Sequence, residues 1–170
     1  MPCLATGRLR SVPSHIMEEV EVARRILVVD DDERILFVLE HALSSLGPDT
    51  EVITATNAAQ ALEQVSEVRV DLVLTDLRMP GQDGISLTSD LRALIPTAPI
   101  IWVTAHQGPA VSAEARRLGV FGCLTKPADL GEIRAMVRRA LECGSGLRAI
   151  AARNGAANGA YAEEGGSGRV

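Results

Sequence analysis

Aromatic residues are nearly absent from this chain. Its 170 residues include two phenylalanines, one tryptophan and one tyrosine, namely Phe37, Phe121, Trp102 and Tyr161. A core built on large rings is therefore excluded, and Val, Ile, Leu and Ala must supply the buried surface. The hydrophobic content of 46% and the charged content of 23% are typical of one globular domain at this length.

Cysteine, basic charge and long apolar runs are also scarce. The three cysteines, Cys3, Cys123 and Cys143, are odd in number and lack the close spacing of a metal site, so we expect free thiols in a reducing compartment. No apolar run approaches the roughly 20 residues of a membrane span, and the first residues lack the apolar segment of a secretory signal. A net charge of −5 disfavours nucleic-acid binding through overall charge. We therefore expect a cytoplasmic protein that binds neither membrane nor nucleic acid directly.

The two ends of the chain differ in composition from its middle. Residues 1–24 mix Pro, Ser, Arg and Glu without lasting periodicity and are predicted to form a flexible extension, with the translation start open between Met1 and Met17. Residues 144–170 are rich in Gly and Ala, which predicts a disordered tail, with a short helix over Leu147–Arg153 as the alternative. One folded unit is predicted over residues 25–143.

Within this unit, apolar strand-like segments alternate strictly with segments of helical periodicity. The five predicted strands are Ile26–Val29, Val52–Ala55, Val70–Thr75, Ile100–Thr104 and Val120–Leu124. The five predicted helices are Glu33–Leu46, Ala58–Val65, Gly84–Leu94, Ala110–Leu118 and Asp129–Leu141, with Asn57 and Asp129 as N-caps. This order predicts an α/β fold, a doubly wound five-stranded parallel sheet with helices on both faces.

Carboxylate, hydroxyl and ammonium side chains lie where the predicted strands end. Asp30, Asp31 and Asp32 follow the first strand, Asp76 follows the third, Thr104 ends the fourth, and Lys126 follows the fifth. In such a sheet the ligand site forms at the carboxyl ends of the strands, near the switch in strand order. The sequence therefore predicts that acids, a hydroxyl and an ammonium group converge on one edge of the sheet.

This combination favours a phosphoryl group and a metal ion. Two carboxylates about 4 Å apart repel each other by roughly 4 kcal/mol at an effective dielectric near 20, and a bound cation relieves that repulsion. Carboxylate oxygens favour Mg²⁺, which keeps positions open for phosphate oxygens. A lysine and a threonine hydroxyl can hold other phosphoryl oxygens, and a carboxylate can attack as the nucleophile. A dinucleotide or flavin site is disfavoured, because the turn after the first strand is acidic and the chain contains no G-x-G-x-x-G.

Four motifs carry a family resemblance. They are Leu27-Val28-Val29-Asp30-Asp31, Leu74-Thr75-Asp76-Leu77-Arg78-Met79-Pro80-Gly81-Gln82-Asp83-Gly84, Val103-Thr104-Ala105 and Thr125-Lys126-Pro127. In this order, over about residues 25–143, they resemble the receiver domain of two-component response regulators. The resemblance implies a flavodoxin-like (βα)₅ fold and transfer of a phosphoryl group from a phosphohistidine to Asp76.

The resemblance also implies a role for each motif residue. Asp31, Asp76 and the backbone carbonyl of Arg78 would ligate Mg²⁺ or Mn²⁺, and Asp30 would act through a metal-bound water. Lys126 would pair with the phosphoryl group, Thr104 would hydrogen-bond to it, and the Lys126–Pro127 peptide would be cis. The implied partners are a sensor histidine kinase or phosphotransfer protein and an unnamed downstream protein, with a phosphorylation-dependent homodimer as a further alternative.

One position departs from the family, and two other functions stay open. Receivers usually carry Tyr or Phe three residues before the lysine, where this chain has Cys123, so the conformational response is expected to be muted. A haloacid-dehalogenase-like phosphatase also uses an aspartate nucleophile, and Asp30-x-Asp32 superficially matches its first motif, but its later paired-acid motif is missing. An interaction module that is not phosphorylated is the other alternative, which the full set of motif residues disfavours.

Overall fold

The computed structural model describes residues 23–105 and 108–158, and for residues 145–158 it describes the backbone alone. The five strands are β1 Arg24–Val29, β2 Thr50–Ala55, β3 Leu72–Asp76, β4 Ile100–Thr104 and β5 Gly122–Thr125. The five helices are α1 Glu33–Ser44, α2 Ala58–Glu67, α3 Gly84–Leu94, α4 Pro109–Arg117 and α5 Leu130–Asn158. The predicted order of elements is confirmed.

All neighbouring strands are parallel, in the order β2-β1-β3-β4-β5. Because β1 lies between β2 and β3, the strand order reverses at β1, where ligand sites form in sheets of this kind. The predicted doubly wound parallel sheet is therefore confirmed, and the carboxyl ends of β1, β3, β4 and β5 lie at one edge.

Two apolar clusters cover the two faces of the sheet. The helices α1 and α5 pack on one face, over Ile26, Val28 and Leu74, and α2, α3 and α4 pack on the other, over Leu27, Val29 and Trp102. Neighbouring strand residues alternate between the two clusters, as side chains of a pleated strand must. Trp102 is the only large ring in either cluster that is fully buried, so aliphatic residues dominate the core as the composition predicted.

Side chains at the helix starts fix several helix boundaries. Asp32 and Asn57 accept hydrogen bonds from the backbone N–H groups of Arg34 and Gln60, as N-cap residues do. Asp129 accepts from the N–H of Gly131 at 2.8 Å, immediately before α5 begins. The N-caps predicted at Asn57 and Asp129 are confirmed.

Helix α5 differs most from its predicted boundaries. It runs for 29 residues to Asn158, whereas a helix ending at Leu141 was predicted. The glycines at 144 and 146 suggested a stop, but glycine only weakens a helix by about 1 kcal/mol, and no proline follows within α5. The disordered tail predicted over residues 144–170 stays a prediction for residues 159–170, which lie outside the described residues, as does most of the predicted N-terminal extension. None of the described helices is long and apolar enough to cross a bilayer.

The guanidinium of Arg92 joins α3 to the segment that follows α4. Its N–H groups donate to the backbone carbonyls of Ala98 at 2.6 Å, Gly119 at 2.6 Å, Leu118 at 2.9 Å and, at the long distance of 3.4 Å, Pro96. The planar fork of arginine can satisfy several acceptors at once, which a lysine ammonium at this place cannot do with the same geometry. Arg92 thus fixes the carboxyl end of α4 against α3.

Candidate functional site

Three carboxylates meet at the carboxyl ends of β1 and β3. Asp30 and Asp31 directly follow β1, and Asp76 is the last residue of β3. One oxygen of each carboxylate lies within 4.8 Å of the others. Asp30 and Asp76 are only 3% and 8% exposed, while Asp31 is exposed to solvent. Two nearly buried carboxylates and one exposed one therefore form an open acidic site.

The ammonium group of Lys126 lies between two of these carboxylates. Its Nζ donates to Oδ2 of Asp30 at 2.7 Å and to Oδ2 of Asp76 at 2.6 Å. The backbone N–H of Lys126 donates to the carbonyl of Thr104 at 2.8 Å, so the lysine is also held against the end of β4. The Lys126–Pro127 peptide is cis, as the family resemblance implied.

The pKa of Lys126 reflects a competition between burial and its two acidic neighbours. Burial is the largest single influence and by itself would lower the pKa. The hydrogen bonds to Asp30 and Asp76, together with the attraction of their charges, outweigh burial and place the pKa above its ordinary value. This site therefore keeps Lys126 in its protonated, positively charged form.

The second oxygen of Asp76 and the loop behind it are held by the backbone. The N–H of Arg78 donates to Oδ1 of Asp76 at 3.0 Å, while the Arg78 side chain is exposed. Gly84, the first residue of α3, packs so closely that a Cβ there would overlap the Asp76 carbonyl oxygen. Both oxygens of Asp76 thus accept hydrogen bonds, and the carboxylate has a defined orientation.

The remaining predicted residues lie where the sequence placed them along the strands. Thr104 is the last residue of β4, is 1% exposed and pairs in register with Thr125. Its neighbour Val103 pairs with Asp76, so β4 and β3 end side by side. Asp32 caps α1, and its pKa is lowered by hydrogen bonds from the side chain and backbone of Arg34. The cap explains Asp32 without a role in the site.

A mainly apolar cleft of about 620 Å³ opens beside the carboxylates, between α1 and α5. Its lining includes the charged residues Asp30, Asp76 and Lys126 and the apolar residues Val38 and Leu130. The last two are 47% and 37% exposed, and Phe37 on the same helix as Val38 is 71% exposed. Val38 and Phe37 lie off the periodic apolar face that predicted α1, so the sequence carries no local signal for this exposed apolar surface.

Cys123 lies half-buried in β5, in register with Trp102. Burial raises the pKa of its thiol, which reduces the thiolate that reacts with alkylating agents. We therefore expect Cys123 to react with iodoacetamide at pH 7 several-fold more slowly than the exposed Cys143. A time course in a Cys3→Ser background, followed by peptide mass mapping, compares the two thiols within one molecule. Equal rates would show that β5 opens freely to solvent.

Comparisons with known proteins agree with this geometry. The family model described as the response regulator receiver domain matches residues 26–138. The chain is 39% identical over 116 residues to the DNA-binding transcriptional regulator NtrC of Escherichia coli, covering 68% of this chain and 24% of that protein. It is 36% identical over 118 residues to the regulatory protein AtoC of the same organism, covering 69% of this chain and 25% of that protein. The chain thus spans about a quarter of the length of these curated relatives.

Two solved structures show the same fold over nearly their whole length. A CheY-like response regulator receiver domain protein from Methanospirillum hungatei superposes with a TM-score of 0.68 at 26% identity, covering 72% of this chain and 96% of that one. The signal receiver domain of an HD domain-containing protein from Pseudomonas fluorescens gives 0.67 at 31% identity, covering 72% and 98%. The fold, the cluster of carboxylates and lysine at its edge, and these matches agree: the chain belongs to the response regulator receiver domain family of two-component systems.

Proposed function

We propose that this chain is a switch controlled by phosphorylation of Asp76, with a phosphohistidine of a sensor kinase or phosphotransfer protein as donor. The observation that carries the proposal is the position of the Asp76 carboxylate. It ends a central strand, borders the cleft at the carboxyl edge of the sheet, and is bound by Lys126 beside two further carboxylates. The reaction would take place in the cytoplasm.

In the proposed reaction an oxygen of Asp76 attacks the phosphorus of the donor. An O–P bond forms, the P–N bond breaks, and the imidazole nitrogen leaves with the electron pair. Lys126 would exchange its contact with Oδ2 of Asp76 for one with a phosphoryl oxygen, which keeps its charge compensated. The hydroxyl of Thr104 would donate to another phosphoryl oxygen, and this bond would couple phosphorylation to the position of the end of β4.

The residues of the site are suited to a divalent cation. Three carboxylates with oxygens within 4.8 Å of one another are a hard, oxygen-only donor set, and the exposure of Asp31 leaves positions for water. Asp31, Asp76 and the Arg78 carbonyl would hold Mg²⁺ or Mn²⁺, and Asp30 would act through a water. When bound, the cation offsets negative charge on the phosphoryl oxygens.

Magnesium is expected to stabilise the fold through this site. At ten times its Kd a ligand that binds only the folded state adds about 1.4 kcal/mol, which raises the Tm by a few degrees. Asp31→Asn should remove that increase, since it deletes an exposed carboxylate and disturbs little else. Thermal unfolding with EDTA, MgCl₂ and CaCl₂ measures it, with Asp49→Asn as the control for a carboxylate elsewhere. An equal Mg²⁺ response in Asp31→Asn would contradict the assignment.

The exposed apolar residues of α1 support a protein donor. Val38 lines the cleft that also borders Asp76, and Phe37 is exposed on the same helix. A partner that carries the phosphohistidine would bury exposed apolar surface of α1 on docking. The signal would then pass to a downstream protein rather than directly to nucleic acid.

Incubation with acetyl phosphate and Mg²⁺, followed by intact mass measurement, tests the proposed function. One added phosphoryl group per chain is the expected result. An unmodified chain would favour the unphosphorylated interaction module, and continuous hydrolysis of a phosphate monoester would favour the phosphatase.

A further inference from the structure

A buried hydrogen-bond chain connects β4 to the first turn of α3. The indole N–H of Trp102 donates to Oγ1 of Thr88 at 2.8 Å, and the Thr88 hydroxyl donates to the carbonyl of Gly84 at 2.6 Å. Trp102 and Thr88 are both 0% exposed. Polar groups buried this deeply depend on each other, because water cannot replace a missing partner.

At the α3 end of these bonds, Gly84 fixes the position of the loop that follows Asp76. The N–H of Gly84 donates to the carbonyl of Leu77 at 2.9 Å, which closes the loop that follows Asp76. A Cβ on Gly84 would overlap both the Asp76 carbonyl oxygen and the Leu77 Cα. The first turn of α3 therefore lies directly against the backbone of Asp76, and a shift of Gly84 would displace that backbone.

At the other end of these bonds, Trp102 lies on β4, the strand that also carries Thr104. Trp102 precedes Thr104 by two residues, so both side chains lie on the same face of β4. In the sheet, Trp102 pairs with Thr75 of β3 and Cys123 of β5. Its ring is packed in the apolar cluster beneath α3 and α4. The bonds through Thr88 thus link the Thr104 strand to the Asp76 loop by a route separate from the backbone ladder.

We propose that Thr88 and Trp102 are a positioning pair for phosphoryl transfer to Asp76. Neither residue touches the reacting atoms. Together they fix the distance between the Asp76 loop and the end of β4, and so the geometry in which the carboxylate and the Thr104 hydroxyl meet the phosphoryl group. This inference rests on the proposed function and adds to it the residues that position the site.

Three substitutions separate positioning from packing. Thr88→Val keeps the shape and removes the hydroxyl, Thr88→Ser keeps the hydroxyl and removes a methyl group, and Trp102→Phe removes the indole N–H. With acetyl phosphate and Mg²⁺, we expect Thr88→Val to lower the maximal labelling rate several-fold with an unchanged half-saturating donor concentration. Thr88→Ser, which keeps the hydroxyl, should be labelled at the wild-type rate, and Trp102→Phe, which removes the donor of the same bond, should lower the rate as Thr88→Val does. A wild-type rate in folded Thr88→Val, or a rate in Thr88→Ser as low as that expected for Thr88→Val, would overturn the pairing.

A measurement on the unsubstituted chain covers the case in which Thr88→Val does not fold. The chain has one tryptophan, so its indole N–H gives a single identifiable resonance. We expect this resonance to shift when beryllofluoride and Mg²⁺ are added, and to stay in place in Asp76→Asn. An unmoved indole resonance, in a chain whose Asp76 loop amides do shift, would overturn the inference and leave the proposed function intact. Absence of labelling in the wild-type chain would instead overturn the proposed function.

Discussion

Asp76→Asn is expected to abolish phosphoryl incorporation from acetyl phosphate while leaving the fold intact. An amide oxygen is far less nucleophilic than a carboxylate oxygen, and the substitution leaves the number of non-hydrogen atoms in the side chain unchanged. Both Asp76 oxygens accept hydrogen bonds, from the Arg78 N–H and from Lys126, whereas the amide offers one oxygen. The variant therefore loses one contact and the reactive group together. Intact mass after incubation with donor and Mg²⁺ measures the loss.

A matched control for Asp76→Asn is Asp71→Asn. Asp71 is another buried aspartate, just before the opposite end of β3, where it accepts from the Arg25 N–H at 2.9 Å. Asp71→Asn should be labelled like the wild-type chain, because its carboxylate lies away from Lys126. Complete labelling of Asp76→Asn would show that another residue is the phosphoacceptor.

Lys126→Met is expected to lower the free energy of unfolding by about 2–3 kcal/mol at pH 7 in EDTA. The lysine side chain is 23% exposed and compensates two carboxylate side chains that are 5% and 10% exposed. Removing one partner of a buried ion pair costs about 3–5 kcal/mol, and partial exposure reduces that cost here. Urea denaturation measures the loss, with Arg138→Met as the control for an exposed cation.

The destabilisation should depend on the remaining carboxylates and on pH. Adding Asp76→Asn to Lys126→Met should restore part of the lost stability, because one uncompensated charge is removed. The raised pKa of Lys126 means that its stabilising contribution is fully present below the ordinary value of 10.5 and is lost as pH rises through the higher folded value. The difference in free energy of unfolding between the wild type and Lys126→Met should thus be constant from pH 7 to pH 9. It should shrink above pH 10.5, the ordinary pKa of lysine. Equal stabilities of Lys126→Met and Arg138→Met would contradict the role assigned to the ion pairs.

The sequence predicted the edge of the sheet at which the site lies because strand ends can be recognised locally. The apolar run before Asp30 and the run that ends near Asp76 each mark a buried strand, and parallel strands bring their carboxyl ends together. The register that sets Asp76 beside Val103 could not be read in this way, since it depends on how two distant segments pair. The contact of Lys126 with Asp30 as well as Asp76 depends on the registers of β1 with β3, of β3 with β4 and of β4 with β5 together.

Two other features had no local signal. Thr88 and Trp102 are fourteen residues apart and each is consistent with ordinary core packing, so their hydrogen bond could not be predicted from either residue. The continuation of α5 beyond Leu141 was not predicted because glycines follow it. A glycine destabilises a helix by only about 1 kcal/mol and does not by itself end it. The effect of Cys123 on the response to phosphorylation stays a prediction.

The joint made by Arg92 has a consequence for how this domain tolerates sequence change. Its four acceptors are backbone carbonyls, at positions 96, 98, 118 and 119, which every amino acid provides. Substitutions at Ala98 or Leu118 therefore leave the acceptors in place as long as the backbone keeps its course. Arg92 is the only residue of the four bonds whose side chain takes part in them. Homologues that keep these bonds should preserve arginine there, while the accepting positions are limited only by packing and backbone conformation, as at the buried Ala98 and at Gly119, whose φ is 62°.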